Sequence, residues 1–131
     1  MSQPGIGSML HYLSGGSRHN PAEFYGRKIM SAAMDNDKLK LSFSDGTAIV
    51  LWDNGQSCCE QRYMTCDDDL NKIVGGELRR IEAKRTEEKT VDYGEHEMVF
   101  IEIGTDECFI TVCTHNEHNG YYGGFGLTID T

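Results

Sequence analysis

The sequence predicts an α+β fold, mainly antiparallel β-sheet arranged as a curved sheet or partly open barrel, with one short helix. Three observations predict it. Lys38-Leu39-Lys40-Leu41-Ser42-Phe43 alternates polar and apolar residues at the period of a half-buried strand. Asp45-Gly46 follows as a hairpin turn signal, and Thr47 to Trp52 supplies a returning strand. Helix signals gather in one place, residues 68 to 74, where Asp67-Asp68-Asp69 precedes Leu70, Ile73 and Val74 and Gly75-Gly76 stops the element.

The remaining elements follow in order. Residues 1 to 20 are rich in Gly and Ser and read as a loosely ordered arm, with Met9 to Leu13 as a short turn or docking segment. Residues 21 to 131 then form a single antiparallel β-rich domain. Arg27 to Met34 fits either a helix face through Ile29, Ala32 and Ala33, or a strand side through Ile29, Ser31 and Ala33; the hairpin after it favours the strand. Leu78, Ile81 and Ala83 mark a charged strand of imperfect period, followed by a polar loop through Gly94. Met98 to Ile103 and Cys108 to Cys113 read as a hairpin joined by Gly104-Thr105-Asp106-Glu107. Phe125 to Ile129 is the last strand.

Length and charge bound the function classes. A chain of 131 residues suits one domain. The net charge of -9, from 12 basic and 21 acidic residues, opposes binding to long nucleic acid. Arg79, Arg80, Lys84, Arg85 and Lys89 do cluster, but Glu82, Glu87 and Glu88 interrupt them, which fits a solvated face. No window reads as a membrane span or signal peptide, and the five cysteines are an odd number. Reduced thiols in cytosol are therefore expected, with Cys66, Cys108 and Cys113 as small apolar residues.

Two segments carry the chemistry. Around Cys58-Cys59-Glu60-Gln61-Arg62-Tyr63, the Arg62 fork suits a carboxylate or phosphate, Tyr63 offers a stacking face, and Glu60 could orient Arg62 or bond a ribose hydroxyl. The alternative pairs Arg62 with a nearby carboxylate. From His115 to Gly124, Asn116 and Asn119 both donate and accept, Tyr121 and Tyr122 supply flat faces, and the glycines allow close backbone approach. The alternative there is a structural hairpin loop. Together these residues suit a planar, polar small molecule. That use needs the two segments to share one pocket.

A metal reading takes Cys58, Cys59, His115 and His118 as zinc ligands, though adjacent cysteines are unusual for a structural zinc pair. A zinc-dependent hydrolase is the enzymatic form of that reading. No nucleophile elbow, P-loop or dinucleotide fingerprint occurs, so a catalytic residue is not assigned and no cofactor is expected.

The strings Trp52-Asp53-Asn54-Gly55-Gln56-Ser57-Cys58-Cys59-Glu60 and His115-Asn116-Glu117-His118-Asn119-Gly120-Tyr121-Tyr122-Gly123-Gly124-Phe125 resemble a family of small phage and prophage proteins. The resemblance covers roughly residues 37 to 129. It extends to the anti-Thoeris sponge group, which binds cyclic ADP-ribose derivatives without cleaving them. What it implies is a non-enzymatic protein of the host cytosol that sequesters a nucleotide-like signal of bacterial defence. No binding residue is carried over from that group. A homo-oligomer is expected, because strand edges in a small β domain need cover. An acidic inhibitor binding a host defence protein, or a structural phage component, is the alternative.

Overall fold

The computed structural model describes residues 21–35, 38–53, 61–91, 94–118 and 127–130. Among the described residues, eight strands run in chain order: β1 (Ile29–Asp35), β2 (Lys38–Phe43), β3 (Ala48–Asp53), β4 (Gln61–Cys66), β5 (Leu78–Val91), β6 (Gly94–Thr105), β7 (Phe109–His118) and β8 (Leu127–Asp130). They form two four-stranded antiparallel sheets, ordered β1-β2-β3-β8 and β4-β7-β6-β5.

The expected α+β class is corrected by this architecture. Among the described residues there is no α-helix, only 3-10 turns at Pro21–Phe24 and Leu70–Ile73. The start signal at residues 67 to 69 does act: the Asp69 carboxylate accepts from the Asn71 backbone N–H at 2.9 Å. The element then ends within one turn. Val74 is already extended, and Gly75 takes a positive φ of 94° to turn the chain into the sheet. Four residues cannot repay the cost of a helical nucleus. Nor, among the described residues, do the sheets close into a barrel. Backbone bonds join them along one side, where Ile29 N–H meets Gly76 O at 2.9 Å and Leu78 N–H meets Arg27 O at 2.9 Å. No strand pairing joins β8 to β4 on the other side among the described residues.

One apolar core lies between the sheets. Leu39, Leu41, Ile49, Leu51, Leu127 and Ile129 project from one sheet; Ile81, Ala83, Val99, Ile101, Ile103, Ile110 and Val112 project from the other. Strand alternation accounts for this set, since every second side chain meets the opposite sheet. Each Leu, Ile or Val of this set contributes about 1.5–3 kcal/mol by leaving water.

Two departures from strict alternation have visible causes. In β1 the register shifts between Ile29 and Ser31, so Ile29 is buried while Ala32 and Met34, not Ser31 and Ala33, are the partly covered positions after it. In β5 the register shifts between Leu78 and Arg80 and again between Ala83 and Arg85, which explains why Leu78, Ile81 and Ala83 do not keep an even period. The polar stretch read as a loop is strand up to Val91, paired with Gly94–Thr105. Its exposed charges meet carboxylates: Arg79 with Glu77, Arg80 with Glu102, Lys84 with Glu82 and Arg85 with Glu87. That is the solvated face expected of the basic cluster.

Candidate functional site

Strand register builds the site. β4 pairs with β7 so that Gln61 faces Glu117, Arg62 faces Asn116, Tyr63 faces His115 and Thr65 faces Cys113. β6 pairs with β7 on the other side, setting His96 opposite Glu117, Glu97 opposite Asn116 and Met98 opposite His115. Alternation then splits these residues between two faces. Tyr63, Thr65, His96, His115 and Glu117 lie on the outer face. Arg62, Glu97, Asn116 and His118 lie on the inner face, toward the other sheet.

On the outer face the rings interlock. Tyr63 and His115 stack nearly parallel, 4.4 Å between centroids and 8° between planes. The Tyr63 hydroxyl donates to Glu117 Oε2. His115 uses both ring nitrogens: Nε2 lies 2.9 Å from Thr65 Oγ1, and Nδ1 lies 2.9 Å from His96 Nε2. Burial pushes the His115 imidazole below its ordinary pKa, and the neighbouring His96 adds to the shift. His115 is therefore poised to stay neutral near pH 7. Cys113, two residues before it, is also covered, and burial, reinforced by Glu87, pushes its thiol up to about 11. Such a thiol is a packing group rather than a nucleophile.

On the inner face the polar groups close the end of the core. Arg62 Nη1 donates to both carboxylate oxygens of Asp53, 2.9 Å to Oδ1 and 2.7 Å to Oδ2. Both side chains are nearly sealed from solvent, 6% and 5% exposed. Asp53 belongs to β3, so this ion pair crosses between sheets. His118 Nε2 lies 2.9 Å from Glu97 Oε1, and Asn116 is fully buried between β4 and β6.

The residues singled out in the sequence divide accordingly. Arg62, Tyr63, His115, Asn116 and His118 come together on adjacent strands, with Tyr63 and Arg62 on opposite faces. Arg62 takes the carboxylate partner that stood as the alternative to a ligand. Residues 115 to 118 were read as loop but continue β7. His115 and His118 are three apart on a strand, so they point to opposite faces and cannot chelate one ion together. Among the described residues no three His, Cys, Asp or Glu side chains converge as a metal site. Cys58, Cys59, Glu60, Asn119, Tyr121 and Tyr122 lie outside the described residues, as does the arm of residues 1 to 20. Asp53, Thr65, His96 and Glu97 belong to the arrangement but were not singled out. Each takes its role from strand pairing, and the one sequence signal pointing to any of them was the position of Asp53 at the end of a predicted strand.

No described helix is long and apolar enough to cross a membrane. No curated protein and no solved structure matches the sequence. A family model described as a domain of unknown function, DUF7448, matches residues 22–127. That match spans both sheets from the first 3-10 turn to the start of β8, and the chain belongs to the DUF7448 family.

Proposed function

We propose that this protein binds a nucleotide-like small molecule without cleaving it, where β4 and β7 run side by side. The observation that carries the reading is the Tyr63–His115 stack, which joins the two segments that the sequence marks as chemically distinctive. A flat platform of this kind suits a nucleobase, which stacks on aromatic faces for about 1–3 kcal/mol. Glu117 and His96, beside the platform, offer an acceptor and a ring nitrogen to the edge of a base.

Arg62 does not serve this reading as a phosphate grip, because its guanidinium is buried against Asp53. Binding would rest on stacking and edge hydrogen bonds, with the acidic surface working against any phosphate. The resemblance to phage and prophage proteins favours cyclic ADP-ribose derivatives or cyclic oligonucleotides as ligands, and sequestration of a bacterial defence signal as the role. Glu60, Asn119, Tyr121 and Tyr122 adjoin the platform strands in sequence and complete the proposed ligand set.

Calorimetry with cyclic ADP-ribose isomers and cyclic dinucleotides tests this. The expected result is saturable binding to one ligand class, weakened by Tyr63→Ala and kept by Tyr63→Phe, with little dependence on salt. Flat titrations across the panel, with folded protein, would overturn it.

A further inference from the structure

The outer face of the β4-β7-β6 sheet also brings two histidines together. His96 and His115 are diagonal neighbours on paired strands, His96 standing opposite Glu117 and His115 opposite Met98. Their rings converge so that His96 Nε2 and His115 Nδ1 are 2.9 Å apart, with centroids 5.2 Å apart and planes tilted by 32°. Two imidazole nitrogens on one tetrahedral ion, at bonds of ~2.0–2.1 Å, would stand about 3.3 Å apart. Reaching that arrangement opens the present contact by a few tenths of an ångström and turns both rings, because the two nitrogens now face one another across a hydrogen bond.

We propose that His96 Nε2 and His115 Nδ1 form a two-nitrogen chelate for a divalent transition ion of the Zn²⁺, Co²⁺ or Ni²⁺ class. Three features prepare it. Thr65 Oγ1 sits 2.9 Å from His115 Nε2; with this hydroxyl accepting, Nε2 holds the ring proton and Nδ1 presents a lone pair, which a metal would take in place of the hydrogen bond to His96 once His96 carries its own proton on Nδ1. Tyr63 stacks on the His115 ring and holds its orientation, so little rotamer freedom is left to lose. Glu117 is the direct register partner of His96 and adds negative charge beside the pair while its carboxylate stays on the Tyr63 hydroxyl. Water fills the remaining positions. The net charge of -9 favours a cation over an anion here. This pair differs from the cysteine-containing set suggested by the sequence, since His118 lies on the other face. It shares Tyr63, His96, His115 and Glu117 with the nucleotide reading, and titration with metal alone tests it separately.

The test uses the full chain, freed of metal by chelator and titrated with Co²⁺ and Zn²⁺. Calorimetry should give one site per chain. The Co²⁺ spectrum should show d–d bands without the near-ultraviolet charge transfer of a thiolate ligand. His96→Gln and His115→Gln should each weaken binding at least about tenfold, as should the exposed positioning variant Thr65→Val. The double variant Cys58→Ser/Cys59→Ser should bind as well as the parent. In the unmutated protein, diamagnetic Zn²⁺ should shift the ring proton resonances of His96 and His115 together, a readout that needs no variant to fold. The proposal is overturned by absence of binding, by a thiolate band lost in the cysteine variant, or by Zn²⁺ leaving the His96 resonances unmoved.

Discussion

Arg62 of β4 and Asp53 of β3 form an ion pair that spans the two sheets, with one guanidinium nitrogen 2.7 and 2.9 Å from the two carboxylate oxygens. It stands on the side of the sandwich where no strand pairing joins β8 to β4 among the described residues. Removing one partner leaves a charge in the interior. Asp53→Ala and Arg62→Met should each cost about 3–5 kcal/mol in urea unfolding. The pair replaced together by Leu and Met should cost clearly less than either single change. A double loss equal to the sum of the two single losses would show that the charges do not couple.

Thr114 offers the opposite case. Its side chain is buried on the inner face of β7, and Oγ1 has no hydrogen-bond partner among the described residues. Valine has nearly the same shape and no hydroxyl to desolvate. Thr114→Val should raise stability by about 1 kcal/mol, read as a shift of the urea midpoint at constant slope. A loss of stability would mean that the hydroxyl is satisfied in solution.

The pH dependence of folding should carry a signature of His115. Its folded pKa lies below the ordinary value of 6.5, chiefly through burial. The unfolded chain therefore binds more protons at this residue as pH falls below about 6.5. Its effect on stability is absent above that pH, and stability declines as pH drops toward the folded pKa. With chelator present, His115→Gln should flatten this part of the curve. An unchanged slope between pH 7 and 5 would contradict the assignment.

Cys113 should resist alkylation. Burial pushes its pKa to about 11, so the reactive thiolate is scarce at pH 8. Peptide mass mapping after brief iodoacetamide treatment should find Cys113 unmodified in folded protein and modified in urea. Rapid labelling of the native protein would show that this part of the outer face opens.

Much of the strand content was legible because alternation is a local property. The β2–β3 hairpin stands as read, with Gly46 at a φ of 87° in the turn and Leu39, Leu41, Ile49 and Leu51 all buried. The β6–β7 hairpin was found at its apolar centre, but its polar ends were missed. Glu95, His96, Asn116 and Glu117 carry no strand-forming pattern of their own; they are strand because neighbours on both sides supply hydrogen bonds. The short helix failed for the same reason in reverse. Its cap was real, but the turn after it was drawn off by pairing of Gly75 and Gly76 with Ile29.

The sequence by itself determined that the chain is mainly antiparallel strand and acidic, because period-two patterning and charge count need no partner strand to be read. Only the tertiary structure decided which polar residues share a face. A strand turns each successive side chain through half a revolution, so adjacent Arg62 and Tyr63 part company, one sealed against Asp53 and the other stacked on His115. Register within the β6–β7 hairpin made the His96–His115 pair, and pairing of β7 with the distant β4 laid Tyr63 against it.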